Sequence, residues 1–159
     1  MSKLMDLVKE HIAAEDRQDA EAVMTTFTDD CIYNLPTFGL AMRGKEEVYE
    51  FYKNMFQQFP DFGHVEEEFF EFETGVMVRV RHVATIIGGW NGIEPPPEKI
   101  GTKMYFSALA HFPLAPDGLL LGENVWMDGS EILAGYGVVP SADIFGVAQV
   151  LQRPAVHLQ

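Results

Sequence analysis

Apolar residues recur every four positions near the start of the chain and every second position later, which predicts a helical first third followed by a sheet. Leu4, Val8 and Ile12, with Met5 and Leu7 beside them, predict an amphipathic helix over residues 3–16 with Lys9, Glu10 and Glu15 outward. Residues 16–19 read as a turn, and Asp19 can cap a second helix. That helix carries Ala20, Val23, Met24 and Phe27 inward and ends near Thr28-Asp29-Asp30. A short strand over 31–35 is stopped by Pro36, and a Gly39/Gly44 loop leads to a third helix over 45–58. Its Val48, Phe51, Tyr52, Met55 and Phe56 form a broad stripe that reads as core rather than as a cofactor box.

After Phe59-Pro60-Asp61 the period becomes two. Phe70 and Phe72 alternate with Glu71 and Glu73, and Val76, Val78 and Val80 with Met77, Arg79 and Arg81, joined by a Thr74-Gly75 hairpin. The valine face runs on through His82, Ala84 and Ile86, so His82 is expected to face the interior. Residues 88–98 form a Gly/Pro loop, and 100–112 a long strand apolar on both faces, as if covered by helices on one side and a partner on the other. A hairpin turn over 115–118 leads into a strand that ends on Asp128 and passes at once into a short helix at Glu131-Ile132-Leu133. Simple alternation puts Leu119, Leu121, Val125 and Met127 on one face, and Leu120, Asn124, Trp126 and Asp128 on the other. Asp128 has two readings. Beside Trp126 at the mouth of an apolar sheet it would be a proton-transfer group with a raised pKa; alternatively it caps the helix that follows.

Composition narrows the function. The chain has 159 residues, 47% hydrophobic and 22% charged, which suits one domain with a proper core. A net charge of -13 and no basic patch argue against nucleic acid or an anionic membrane as partner. Cys31 stands alone, so no intrachain disulfide or cysteine-based metal site is expected, and with no apolar run of membrane-spanning length the expected location is cytoplasmic. His82, His111 and Asp128 lack the close helical spacing of metal hydrolases, no dinucleotide or phosphate loop is present, and no nucleophile motif surrounds Cys31; neither a metal nor another cofactor is expected.

Several short pieces carry a family resemblance: Arg17-Gln18-Asp19-Ala20, Tyr33-Asn34-Leu35-Pro36, Gly44, Phe59-Pro60-Asp61, the 92–97 loop, Asp117-Gly118, and 123–128 running into Ile132-Leu133 and Gly137. In this order, over about residues 4–139, they resemble the SnoaL-like polyketide cyclases of the nuclear-transport-factor-two-like superfamily. The resemblance implies an α+β cone: N-terminal helices packed on a strongly curved, mainly antiparallel sheet around an apolar cavity. It places a cone domain at 1–139 and leaves 140–159 as an extension, in which Ile144, Val147, Ala148 and Leu151 suggest a short helix closing the cavity or meeting a partner. It aligns Asp128 with the family's catalytic acid/base and Asn34 with a cavity-facing position, whereas Gly135-Tyr136-Gly137 departs from the family's usual Gln-Leu-Gly.

The expected function is a cofactor-independent cyclase or isomerase acting by acid/base chemistry on a small, largely apolar carbonyl- or hydroxyl-bearing metabolite, working as a homodimer. Asp128, His82 and His111 are the candidate catalytic groups, and Tyr33, Asn34, Trp90, Tyr105 and Trp126 the candidate substrate contacts. The alternatives are an epoxide hydrolase or dehydratase of the same fold, although Arg79 and Arg81 lie on the outward parity, or a non-catalytic binding module.

Overall fold

A computed structural model describes residues 2–90 and 92–138; the extension read at 140–159 lies outside the described residues. Helix α1 (Lys3–Asp16) starts where Ser2 Oγ accepts from Met5 N at 3.0 Å, and helix α2 (Ala20–Thr25) where Asp19 Oδ1 accepts from Ala22 N at 3.0 Å. Strand β1 (Phe27–Leu35) leads through a short 3-10 turn at Pro36 into strand β2 (Leu40–Arg43), which pairs back on it, and helix α3 (Gly44–Gln58) follows. Strands β3 (Gly63–Phe72), β4 (Gly75–Thr85), β5 (Lys103–Pro113) and β6 (Leu120–Met127) form an antiparallel meander, and helix α4 (Gly129–Gly135) comes last. The six strands lie in the order β2-β1-β6-β5-β4-β3, with β1 and β6 parallel. This is the helix-covered, curled and unclosed α+β sheet expected from the resemblance.

The inner face of the sheet carries two apolar clusters. Val8 and Ile12 of α1, Val23 of α2, Val48 and Tyr52 of α3 meet Phe27, Val76, Val78, Val80 and Phe112 beneath the helices. Nearer the open end, Phe59, Phe62, Ala84, Ile86, Met104, Phe106, Ile132 and Tyr136 form the second cluster. Each fully buried large side chain in these clusters contributes roughly 1.5–3 kcal/mol of hydrophobic stabilisation.

Three sequence expectations change. Helix α2 stops at Thr25 and Phe27 begins β1, where it is buried and pairs with Leu120 of β6 ahead of a break in the β1–β6 register. The Gly39/Gly44 loop contains β2. Glu15 is buried rather than outward, since Val8, His11, Ile12 and Glu15 share the α1 face that meets the sheet.

A fourth change decides where the site lies. Leu120 and Val125 are both buried, and so are the consecutive Gly122 and Glu123, so alternation along β6 slips by one at Gly122. Gly122 has φ 142, and it pairs with Ile32 next to a break in the β1–β6 register. Beyond the slip Glu123, Val125 and Met127 face inward, while Asn124 and Trp126 face outward.

Candidate functional site

Between α3, the Gly89-Trp90 loop, the ends of β4 and β5, and α4 lies an apolar cavity of about 370 Å3, within the range of small-molecule sites. Its walls include Phe51, Met55, Phe59, Phe62, Trp90, Met104, Phe106 and Ile132, with Asn54 and Gln58 as its polar side chains. Among the described residues no ionisable side chain lines it. Helical spacing explains the arrangement: Phe51, Met55 and Gln58 stand on successive turns of α3, so the aromatic stripe is partly core and partly wall. Gln58 Nε2 donates to Gly89 O at 3.0 Å and ties the loop to the helix. Trp90 meets Phe38 and Phe59 edge-on, at centroid distances of 5.1 and 5.7 Å.

His82 stands one aromatic layer behind this wall. It is 4% exposed, stacks on Phe62 at 4.9 Å, and lies 4.9 Å from Phe106, both of which line the cavity. Neither ring nitrogen has a hydrogen-bond partner among the described residues. Burial, with a smaller contribution from the charge of His64 at 4.6 Å, holds its pKa well below the usual imidazole value, so the ring is neutral. Tyr136 Oη, in the apolar cluster around the same cavity, is likewise unpartnered among the described residues, and burial pushes it up to about 12.

Deeper, under the helices, lies a buried polar network. His11 Nδ1 donates to Thr26 Oγ1 at 2.7 Å, since that hydroxyl already donates to Val23 O. His11 Nε2 faces Glu123 at 3.4 Å and Glu15 at 3.6 Å, and Tyr52 Oη donates to Glu123 at 3.0 Å. Burial opposes charge on His11, but the Glu123 and Glu15 carboxylates facing Nε2 outweigh it and raise the pKa to about 9. Burial and the Glu15 charge raise the Glu123 carboxyl, whereas His11 prevails over burial at Glu15 and lowers it. His64 Nδ1 bonds Asp16 Oδ1 at 2.8 Å and its Nε2 faces Glu15 at 3.4 Å; against the cost of burial, these partners raise its pKa.

Of the residues expected from sequence, Trp90 lines the cavity, while His82 and Tyr33 are buried on the inner face, Tyr33 against Phe51 at 4.7 Å. The others lie elsewhere. Asn34 donates to Asn124 at 3.3 Å across the β1–β6 pair, Trp126 is 46% exposed opposite Leu109, and Tyr105 is 44% exposed beneath Arg81. His111 pairs across to Met77 and Asn124 and is half-buried on this outer face.

Asp128 corrects the proton-transfer reading. It is exposed, does not line the cavity, and accepts from Ser130 N at 2.9 Å and Glu131 N at 3.2 Å as the N-cap of α4. Hydrogen bonding from Ser130 holds its carboxyl below the usual value rather than above it. Asp128→Ala is therefore expected to cost about 1 kcal/mol in urea unfolding, with ligand binding in the cavity unchanged. Because the folded pKa is depressed, the carboxylate's contribution is present above its unfolded pKa and lost as pH falls through the folded one.

Sequence reasoning passed over His11, Glu15, Glu123, His64, Asn54 and Gln58. The i, i+3, i+7 spacing of Val8, His11 and Glu15 was the available signal for the first two, and a glycine inside a strand the signal for Glu123.

The sequence profile of the SnoaL-like domain family matches residues 8–120. No curated protein matches the chain by sequence. Among solved structures, a candidate polyketide cyclase from Xanthomonas campestris pv. campestris superposes with a TM-score of 0.74 at 16% identity, over 84% of this chain and 96% of the other. A phenazine biosynthesis-related protein from Pseudomonas aeruginosa gives 0.72 at 21% identity, over 91% and 87%. A protein with a ketosteroid isomerase-like fold from Catenulispora acidiphila DSM 44928, crystallised with trimethylamine, gives 0.68 at 16% identity, over 84% and 93%. At these identities the likeness is one of fold, and it agrees with the profile: the chain belongs to the SnoaL-like domain family.

Proposed function

We propose that the protein is an acid/base enzyme, a cyclase or isomerase, that holds a small, largely apolar, ring-sized carbonyl or hydroxyl compound in the cavity walled by Phe51, Phe59, Phe62, Trp90 and Phe106. The observation that carries this reading is His82, a neutral buried imidazole with no partner among the described residues, held against two wall aromatics. Burial keeps the ring neutral, so one nitrogen carries the proton that it donates to the substrate oxygen on which negative charge develops, and the other, unprotonated, takes up the proton leaving the substrate carbon. His82 does not itself line the cavity, so contact with a substrate oxygen requires Phe62 or Phe106 to turn aside. Asn54 and Gln58 would orient the polar edge of the substrate near α3. Asp128 and His111 have no part in this reading, because Asp128 is the exposed cap of α4 and His111 stands on the outer face of the sheet, whereas His82 packs directly on two wall residues.

The test is a panel of cyclic ketones, enones and phenols, screened by thermal shift and Trp90 fluorescence, with hydrogen–deuterium exchange α to the carbonyl followed by NMR for each bound compound. Saturable binding with exchange that vanishes in boiled protein is the expected result. Binding with neither exchange nor turnover would leave a non-catalytic binding module, and no binding at all would remove the cavity from the argument. The homodimer expected from the fold is carried as part of this proposal by the exposure of Trp126 and Tyr105 beside Leu109 on the outer face. Sedimentation showing only a 17.9 kDa species would overturn it.

A further inference from the structure

We propose that His11, Glu15 and Glu123 form a buried site for one divalent transition-metal ion of the zinc class, which ties helix α1 to strand β6 beneath α3 and is separate from the cavity chemistry above. The donor atoms of these three residues all lie within 4.8 Å of one another, and the three residues are buried. Their spacing is the central observation. His11 Nε2 stands 3.4 Å from Glu123 and 3.6 Å from Glu15. A charge-assisted hydrogen bond between such groups contracts to about 2.7–2.9 Å when it forms directly. Donors bound at about 2.0–2.1 Å around a tetrahedral ion stand about 3.3–3.4 Å apart, close to the spacing seen.

The surroundings orient each donor as metal ligands are usually oriented. Thr26 accepts the Nδ1 proton of His11 at 2.7 Å, which leaves Nε2 as the ring atom aimed at the two carboxylates. The other oxygen of Glu15 faces His64 at 3.4 Å, and His64 is in turn held by Asp16 at 2.8 Å. Tyr52 donates to Glu123 at 3.0 Å and stands 3.3 Å from His11 Nε2, a position from which it serves as fourth ligand or as support for Glu123. One imidazole with two carboxylates suits zinc or cobalt better than calcium or magnesium, which take oxygen donors alone. The ion would occupy the place of the Nε2 proton and neutralise both carboxylates inside the apolar core, which is where paired charge is otherwise costly.

The experiment loads the full chain, stripped with a chelator, with Co2+ or Zn2+. One arm adds the ion to folded protein and the other refolds the chain in its presence, so that slow entry to a closed site does not hide binding. Elemental analysis is expected to give one ion per chain in at least one arm, with a higher Tm in the loaded protein. Glu67→Gln, which removes part of the only other candidate group among the described residues (Asp16, His64, Glu67), is expected to keep that ion. Glu123→Gln is expected to lose it. Thr26→Val, which leaves all three donors in place and serves where Glu123→Gln fails to fold, is expected to bind about 10- to 100-fold more weakly. No stoichiometric ion in either arm would overturn the site, as would unchanged affinity in Thr26→Val or loss of the ion in Glu67→Gln.

Discussion

Gly122→Ala is expected to abolish folding, read as loss of the cooperative thermal transition and of native circular dichroism. At φ 142 this residue holds a backbone conformation that an alanine side chain strongly disfavours. A Cβ placed there would also run into the backbone N, C and O of Ile32 on the paired strand, and none of these atoms can move as the end of a flexible side chain would. Relief requires separating β1 from β6 at the parallel pairing that joins the N-terminal strands to the meander. Strain at a special φ together with a backbone collision belongs among the few mechanisms that exceed about 4 kcal/mol, a large fraction of the total stability of a domain this size. Gly118→Ala is the informative control. It also has positive φ, at 87, but nothing lies within 4 Å of the added carbon, so it is expected to cost only about 1 kcal/mol. A Gly122→Ala protein that melts within a few degrees of the parent would show that β6 does not slip at this residue.

That slip also explains what could be read from the string and what could not. Helices α1 and α3, the β3–β4 and β5–β6 hairpins and the inward direction of His82 follow from periodicity, because a period of 3.6 or 2 is set locally and the core merely selects a face. Asp128 shares a face with Asn124 and Trp126, as alternation predicts, but that face is the outer one. The side of a strand that meets the core is fixed by tertiary packing, and on β6 the glycine moves Glu123 to the inside in place of the residues one step along. His11 and Glu15 were legible from helical spacing, yet Glu15 read as a solvated charge because nothing local announces that Glu15 meets His11 and His64. The cavity was the least legible feature. Phe51 and Met55 of α3, Phe62, Ala84 of β4 and Phe106 of β5 come from separate elements and look like ordinary core residues one at a time.

Replacing His82 by leucine is expected to raise stability while slowing the proposed reaction. The imidazole is 4% exposed and neither nitrogen has a partner among the described residues, so the folded protein bears the desolvation of two polar atoms, about 1–3 kcal/mol for an unsatisfied buried group. Leucine has similar bulk and no polar atom, and Phe62 and Phe106 on either side offer it an apolar fit. Tm should therefore rise by several degrees in a scan that leaves the transition cooperative. In the exchange or turnover assay, loss of one donor to a developing oxyanion should lower kcat by roughly 10²- to 10³-fold, with a smaller change in the affinity for ground-state ligands, because the bond strengthens only as charge accumulates. A structural histidine would behave in the opposite way, with stability falling and chemistry unaffected. A functional group held without a partner trades stability for reactivity, and a gain in Tm accompanied by lost turnover is the signature of that exchange. A fall in Tm would mean that the ring has a hydrogen-bonded partner in the folded chain, and unchanged kcat would take His82 out of the reaction.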